Sequence, residues 1–229
     1  MGILWSGVLL AYGAFGRLSN LGAALLLTAG VSLAEPVTVV ALGDSLTHGY
    51  GLQVEKGFVP QLQAYLTAEG RDVVVVNAGV SGDTTAGGRA RLDWSLTPEV
   101  DALIVELGGN DLLRGIDPAV SRANLEAILQ AAQARGLPVL LIGLRASGNY
   151  GPEYKAAFDA MYPELASRYG AQLIENFFQP LGAGGGEPGV SGQWMQSDGI
   201  HPNAAGVARV VAAFGPDVLA LLDRVAGGS

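Results

Sequence analysis

The sequence contains no cysteine. That removes a disulfide framework, a thiolate metal site and a cysteine nucleophile together. Histidine is almost as scarce: His48 and His201 are the only two in 229 residues, too few for an all-histidine zinc site. Basic residues are outnumbered, with 13 Lys plus Arg against 21 Asp plus Glu and a formal charge of −8. No basic stripe is available to neutralise phosphates, so no nucleic-acid partner is expected. Set against these shortages are 34 glycines and a hydrophobic share of 49 %.

Much of the hydrophobic excess lies at the front. Residues 1–34 hold 22 hydrophobic residues, one charge (Arg17) and no acid. The apolar run Leu21–Val31 follows Arg17 and precedes Ser32-Leu33-Ala34, a small-x-small pattern before Glu35-Pro36. This arrangement reads as a secretory signal peptide, which places the protein in the periplasm or outside the cell. An uncleaved membrane anchor is the alternative, although a single span from Ile3 to Val31 would bury Arg17 at a cost of about 2.5–3.5 kcal/mol. A buried core helix is a third reading. The remaining residues, 35–229, are expected to form one domain.

From Glu35 onward, short β-branched runs alternate with helical stretches, the pattern of a parallel sheet flanked by helices. Expected strands are Val37–Leu42, Val73–Val76, Ala102–Leu107, Pro138–Leu144 and Ala171–Ile174. The four consecutive valines of the second suggest a central strand buried on both faces. Expected helices are Phe58–Glu69, one beginning at Asp117-Pro118 and closed by Gly136, and Tyr154–Tyr169. A last amphipathic helix carries Val207, Val210, Val211 and Phe214, broken or kinked at Gly215-Pro216. Leu181–Gly192 reads as a glycine-rich surface loop.

Ligands of such sheets bind at the carboxyl ends of the strands. Three of those ends are polar and rich in glycine: Gly43–Gly49, Asn77–Thr84 and Gly108–Asp111. A fourth polar block, Ser197–Asn203, precedes the last helix and could fold over them. A serine hydroxyl is a poor nucleophile until a neighbouring imidazole accepts its proton. His201 is the only plausible base, because His48 lies three residues from Ser45 in the same loop. Asp198, three residues before His201, can reach Nδ1 through a tight turn. Each block alone also has an ordinary reading as a cap or a turn.

Taken together, Gly43-Asp44-Ser45-Leu46, Gly79, Gly108-Gly109-Asn110-Asp111 and Asp198-Gly199-Ile200-His201-Pro202 resemble the four blocks of the GDSL or SGNH hydrolases. The resemblance runs from about Val37 to Phe214. Ser81–Thr85, Val105–Gly115, Gly148–Gly151 and Gln193–Gln196 look like its bacterial periplasmic branch of thioesterases, arylesterases and lysophospholipases. It implies a three-layer αβα domain with a flavodoxin-like five-stranded parallel sheet, and no cofactor or metal. It further implies catalysis by Ser45, Asp198 and His201. Oxyanion donors would be the backbone N–H groups of Ser45 and Gly79 and the side chain of Asn110. Glycine at 79 would let backbone approach the ligand.

The expected activity is hydrolysis of small-molecule or lipid acyl esters and thioesters, with transient contact with membrane lipid. Two alternatives are a carbohydrate or cell-wall O-deacetylase and a flavodoxin-like anion-binding module with Ser45-Leu46-Thr47 at a helix N-terminus. Asp44 reads as a loop organiser; Asp83, Asp111 and Arg114 as shaping the site; His48 as peripheral. Trp94 and Trp194 read as packing anchors, and Tyr150 as either a core-edge aromatic or an acyl-pocket wall.

Overall fold

The computed structural model describes residues 35–182 and 192–227. The segment read as a leader and most of the glycine-rich 181–192 stretch lie outside the described residues. Strands β1 (Val37–Gly43), β2 (Val73–Gly79), β3 (Ala102–Glu106), β4 (Val139–Ile142) and β5 (Gln172–Ile174) form one parallel sheet in the order β2-β1-β3-β4-β5. The helices are α1 (Ser45–His48), α2 (Phe58–Ala68), α3 (Thr85–Ala90), α4 (Leu92–Ser95), α5 (Gly109–Leu113), α6 (Pro118–Ala134), α7 (Pro152–Tyr169) and α8 (Ala204–Gly227). Helices α2 and α8 pack together on one side of the sheet; α3, α6 and α7 form the other helical layer. The expected element boundaries hold to within two or three residues, the ordinary fraying of ends.

Local chemistry accounts for several of these elements. Asp117 caps α6 by accepting a hydrogen bond from the Ala119 N–H at 2.9 Å, with Pro118 at the first helical position. The buried stripe Val207, Val210, Val211, Phe214, Val218, Leu221 and Leu222 holds α8 against α2 and the sheet. This helix is long and apolar enough to cross a membrane, but half of its most apolar stretch is buried inside the domain. It is a core helix.

Two expectations need correction. The valines of β2 are at the sheet edge, with Val74 and Val76 44 % and 41 % exposed. Only Val73 and Val75 are buried, on a strand that packs against α2. A run of β-branched residues reports extended backbone and does not report which strand stands beside it. Gln63 of α2 occupies part of the open edge: its Nε2 donates to the Val73 carbonyl at 2.9 Å and its Oε1 accepts from the Val75 N–H at 2.8 Å. The last helix, likewise, is not broken at Gly215-Pro216 but continues to Gly227. Gly215 is there for close packing, since a Cβ would collide with the Tyr65 ring.

Strand register positions the site. Gly43 is level with Gly79 of β2 and with Glu106 of β3. The chain leaves β1 toward β2 and crosses back to β3, so β1 is the topological switch point where open sheets bind ligands.

Candidate active site

Ser45 opens α1 directly beyond β1. Asp44 caps this short helix, its Oδ1 accepting from the Leu46 N–H at 3.0 Å. The turn is tight enough to require glycine at 43, where a Cβ would clash with the Thr47 hydroxyl and stand 2.8 Å from the Glu106 carbonyl.

The Ser197–Asn203 loop lies over this turn. Asp198 Oδ1 accepts the backbone N–H groups of Ile200 (2.9 Å) and His201 (3.0 Å), with Gly199 at φ +68°. Its Oδ2 lies 2.7 Å from His201 Nδ1, and His201 Nε2 lies 2.9 Å from Ser45 Oγ. With Nδ1 donating to Asp198, Nε2 is free to accept from the Ser45 hydroxyl. The hydrogen bond from the imidazole, followed by those from the backbone, lowers Asp198 from 3.8 to about 2. Gln196 fastens the loop, its Nε2 donating to the carbonyls of Tyr50 (2.8 Å) and Pro202 (3.0 Å). The Tyr50 ring packs on the His201 ring with centroids 4.7 Å apart. Sequence reading missed Tyr50, which carries no motif beyond its position at the end of the Ser45 loop.

Asn110 stands in the first turn of α5 and lines the same cavity as Ser45 and His201. Its Nδ2 donates to Asp44 Oδ2 at 3.1 Å, which leaves the second amide hydrogen for a ligand. Gly79 behaves otherwise. Its N–H donates to the Asn77 side chain at 2.9 Å, and Gly79 does not line the cavity. A Cβ there would clash with His48 backbone, so the glycine is needed for packing. Three residues on, Gly82 lines the cavity at φ +86°, and its N–H has no partner among the described residues. The expected approach of backbone to ligand therefore falls at Gly82. The signal was present as the glycine of Ser81-Gly82-Asp83-Thr84, which needs a left-handed turn before the Thr84 cap of α3.

Surrounding side chains support this arrangement. Asp44 is a buried organiser, as read from the sequence. Asp111 accepts from Thr85 N–H (2.8 Å), Thr85 Oγ1 (2.6 Å) and Ser121 Oγ (2.8 Å), joining α5 to α3 and α6. Asp83 pairs with Arg91 at 2.6 Å, and Arg114 donates to the Gly82 carbonyl at 2.8 Å. His48 is peripheral and does not line the cavity. Trp194 is partly buried beneath Arg209, whereas Trp94 is 88 % exposed and anchors nothing. Tyr150 lies outside the lining; its hydroxyl donates to the Leu113 carbonyl at 3.3 Å and so supports a residue that does line it.

The cavity has a volume of about 320 Å³ and a mostly apolar wall that includes Leu46, Tyr50, Leu113, Leu144, Phe178 and Ile200. That size suits a small ligand or an acyl chain. Among the described residues, no group of three or more His, Asp or Glu side chains could hold a metal ion.

An αβα sheet carrying a Ser–His–Asp chain at its switch point has the arrangement of a serine hydrolase. The family model described as "GDSL-like Lipase/Acylhydrolase family" matches residues 41–209, and the chain belongs to that family. It is 44 % identical over 186 residues to Esterase TesA of Pseudomonas aeruginosa, covering 81 % of this chain and 89 % of that protein. It is 39 % identical over 167 residues to Thioesterase 1/protease 1/lysophospholipase L1 of Escherichia coli K12, covering 72 % and 76 %. The crystal structure of esterase EstA from Pseudoalteromonas sp., inhibited by monoethylphosphonate, matches with a TM-score of 0.74 at 32 % identity, covering 81 % of this chain and 98 % of that one.

Proposed function

We propose that the protein hydrolyses esters and thioesters of apolar acyl groups through an acyl-Ser45 intermediate. The observation that carries this reading is the unbroken hydrogen-bonded chain Asp198–His201–Ser45 at the mouth of an apolar cavity. His201 Nε2 takes the Ser45 proton as Oγ attacks the carbonyl carbon. The oxyanion accepts the N–H groups of Ser45 and Gly82 and the free amide hydrogen of Asn110. Collapse of this intermediate breaks the bond to the leaving alcohol or thiol, which receives the proton from His201. Water then attacks the acyl carbon, giving a proton to His201; collapse breaks the bond to Ser45 Oγ, which takes that proton from His201 as the acid leaves.

The apolar wall suits an acyl chain better than a sugar, and that argues against the O-deacetylase reading. An anion-binding module would have no use for the His201–Asp198 pair. The names of the relatives, esterase and thioesterase/lysophospholipase, agree with an acyl substrate. Tyr50, Leu113 and Ile200 line the cavity and also stand about half exposed, so a chain longer than the cavity continues over an apolar rim. Such a rim supports transient contact with lipid aggregates. Export through cleavage after Ala34 is part of the same proposal; the mass of the mature protein from a periplasmic fraction tests it.

A series of p-nitrophenyl esters and acyl-CoA thioesters of increasing chain length tests the substrate class. kcat/KM should rise beyond acetate and extend to the thioesters; activity confined to acetate would overturn the reading. Asn110→Ala should lower kcat by about 10²–10³ with little change in KM, because the lost hydrogen bond forms in the transition state. A change confined to KM would assign Asn110 to substrate binding instead.

A further inference from the structure

Glu106 ends β3 inside an otherwise apolar strand and is fully buried. Its Oε2 accepts from Thr47 Oγ1 at 2.9 Å. No donor elsewhere reaches Oε1, and none of the ion pairs among the described residues includes Glu106. Its neighbour is another buried acid: Asp44 follows Gly43, which stands level with Glu106 in the sheet, and brings a second carboxyl beside it together with its own backbone N–H. Asp44 is 2 % exposed and is occupied as an acceptor, from Leu46 N–H on Oδ1 and from Asn110 Nδ2 on Oδ2. Two carboxyl groups can share a hydrogen bond only if one carries a proton. Each oxygen of Asp44 faces a donor whereas Oε1 of Glu106 faces none, so the proton belongs to Glu106. The contrast with Asp111 is direct: that buried carboxylate meets three donors from the protein.

We propose that Glu106 is a positioning residue: a neutral carboxylic acid that donates to Asp44 and thereby holds Asn110 and the Ser45 turn in catalytic register. The proposal rests on the ester-hydrolase reading and extends it below the site. Asp44, bearing one negative charge, caps α1 and anchors the Asn110 amide at the same time. An ionised Glu106 would set two buried charges against each other and loosen both attachments.

The surroundings agree. Burial, then the charge of Asp44, push the Glu106 carboxyl well above the usual range, against the bonds from Thr47 and from the Asp44 backbone. Burial also raises Asp44, opposed by its hydrogen bonds and by His201. Tyr162 of α7 is the other titratable group close by, and its hydroxyl donates to the Leu107 carbonyl at 3.0 Å. At these strand ends the Arg91 guanidinium donates to the Gly43 and Ala78 carbonyls and pairs with Asp83.

Two variants and one spectrum test the assignment. Glu106→Leu removes the donor and should lower kcat about 10–100-fold with KM nearly unchanged, part of the loss expected for an oxyanion donor. Glu106→Gln can still donate to Asp44 and accept from Thr47, and should recover most of that loss. In an Asn110→Ala background Glu106→Leu should cost less than it does alone, since part of its effect runs through Asn110. Infrared difference spectra at neutral pH should show the carbonyl stretch of a protonated carboxylic acid in the wild type and lose it in Glu106→Gln. A band that persists in Glu106→Gln would overturn the proposal, as would additive losses in the double variant. If Glu106→Leu does not fold, Glu106→Gln and the spectrum still decide. An unaffected kcat in Asn110→Ala would instead strike the oxyanion reading, which the infrared band does not depend on.

Discussion

Replacing Ser45 with Ala should lower kcat by about five to six orders of magnitude and abolish labelling by a fluorophosphonate. The attacking atom is removed while the cavity, Asn110 and Gly82 remain, so binding and some oxyanion stabilisation survive as a residual rate. His201→Ala should cost nearly as much, because without the imidazole nitrogen that lies 2.9 Å from its Oγ the Ser45 alcohol is no better a nucleophile than water. The double variant should be little worse than either single one, since the two residues act as a unit. Labelling followed by intact mass checks the first claim, and single-turnover hydrolysis of an aryl ester the others. Equal labelling of wild type and Ser45→Ala would defeat the nucleophile assignment.

The second large effect is expected at Asp198. Asp198→Asn presents either an amide N–H₂ or a weaker acceptor to His201 Nδ1. Facing that amide, the ring holds its proton on Nε2, where it cannot accept from Ser45. A loss of about 10⁴ in kcat is expected, with the protein still folded. The pH dependence has a definite sign. Asp198 is lowered from 3.8 to about 2, so its carboxylate is intact above pH 4 and is lost only as pH falls toward 2. Asp198 therefore contributes nothing to any change of kcat/KM between pH 5 and 8.

Much of the site was legible because its residues occur as short polar blocks after apolar runs. Ser45, Asn110, Asp198 and His201 all meet at the cavity or directly behind it. Gly79 was misplaced for a physical reason. Asn77–Thr84 contains two glycines, and spacing does not tell which serves packing and which turns its N–H toward a ligand. The answer depends on the left-handed turn at Gly82 and on His48 lying against Gly79. Glu106 was hidden inside the expected strand Ala102–Leu107, where the pattern does not tell a buried acid from a solvent-facing one; its register opposite Gly43 buries it. Trp94 shows the converse, a large aromatic ring left in solvent by the short helix that carries it.

By itself the sequence determined the alternation of strands and helices, the cap at Asp117 and, through its scarcity of histidine, the candidate base. These follow from local backbone preference, side-chain periodicity and elimination. Tertiary structure alone decided that the four valines form an edge strand, that α8 runs through Gly215-Pro216, that Gly82 faces the cavity, and that Glu106 meets Asp44. Each of those outcomes depends on which segments distant in the chain become neighbours. Sheet order and register set that, because burial and hydrogen-bond partners belong to pairs of elements and not to either one.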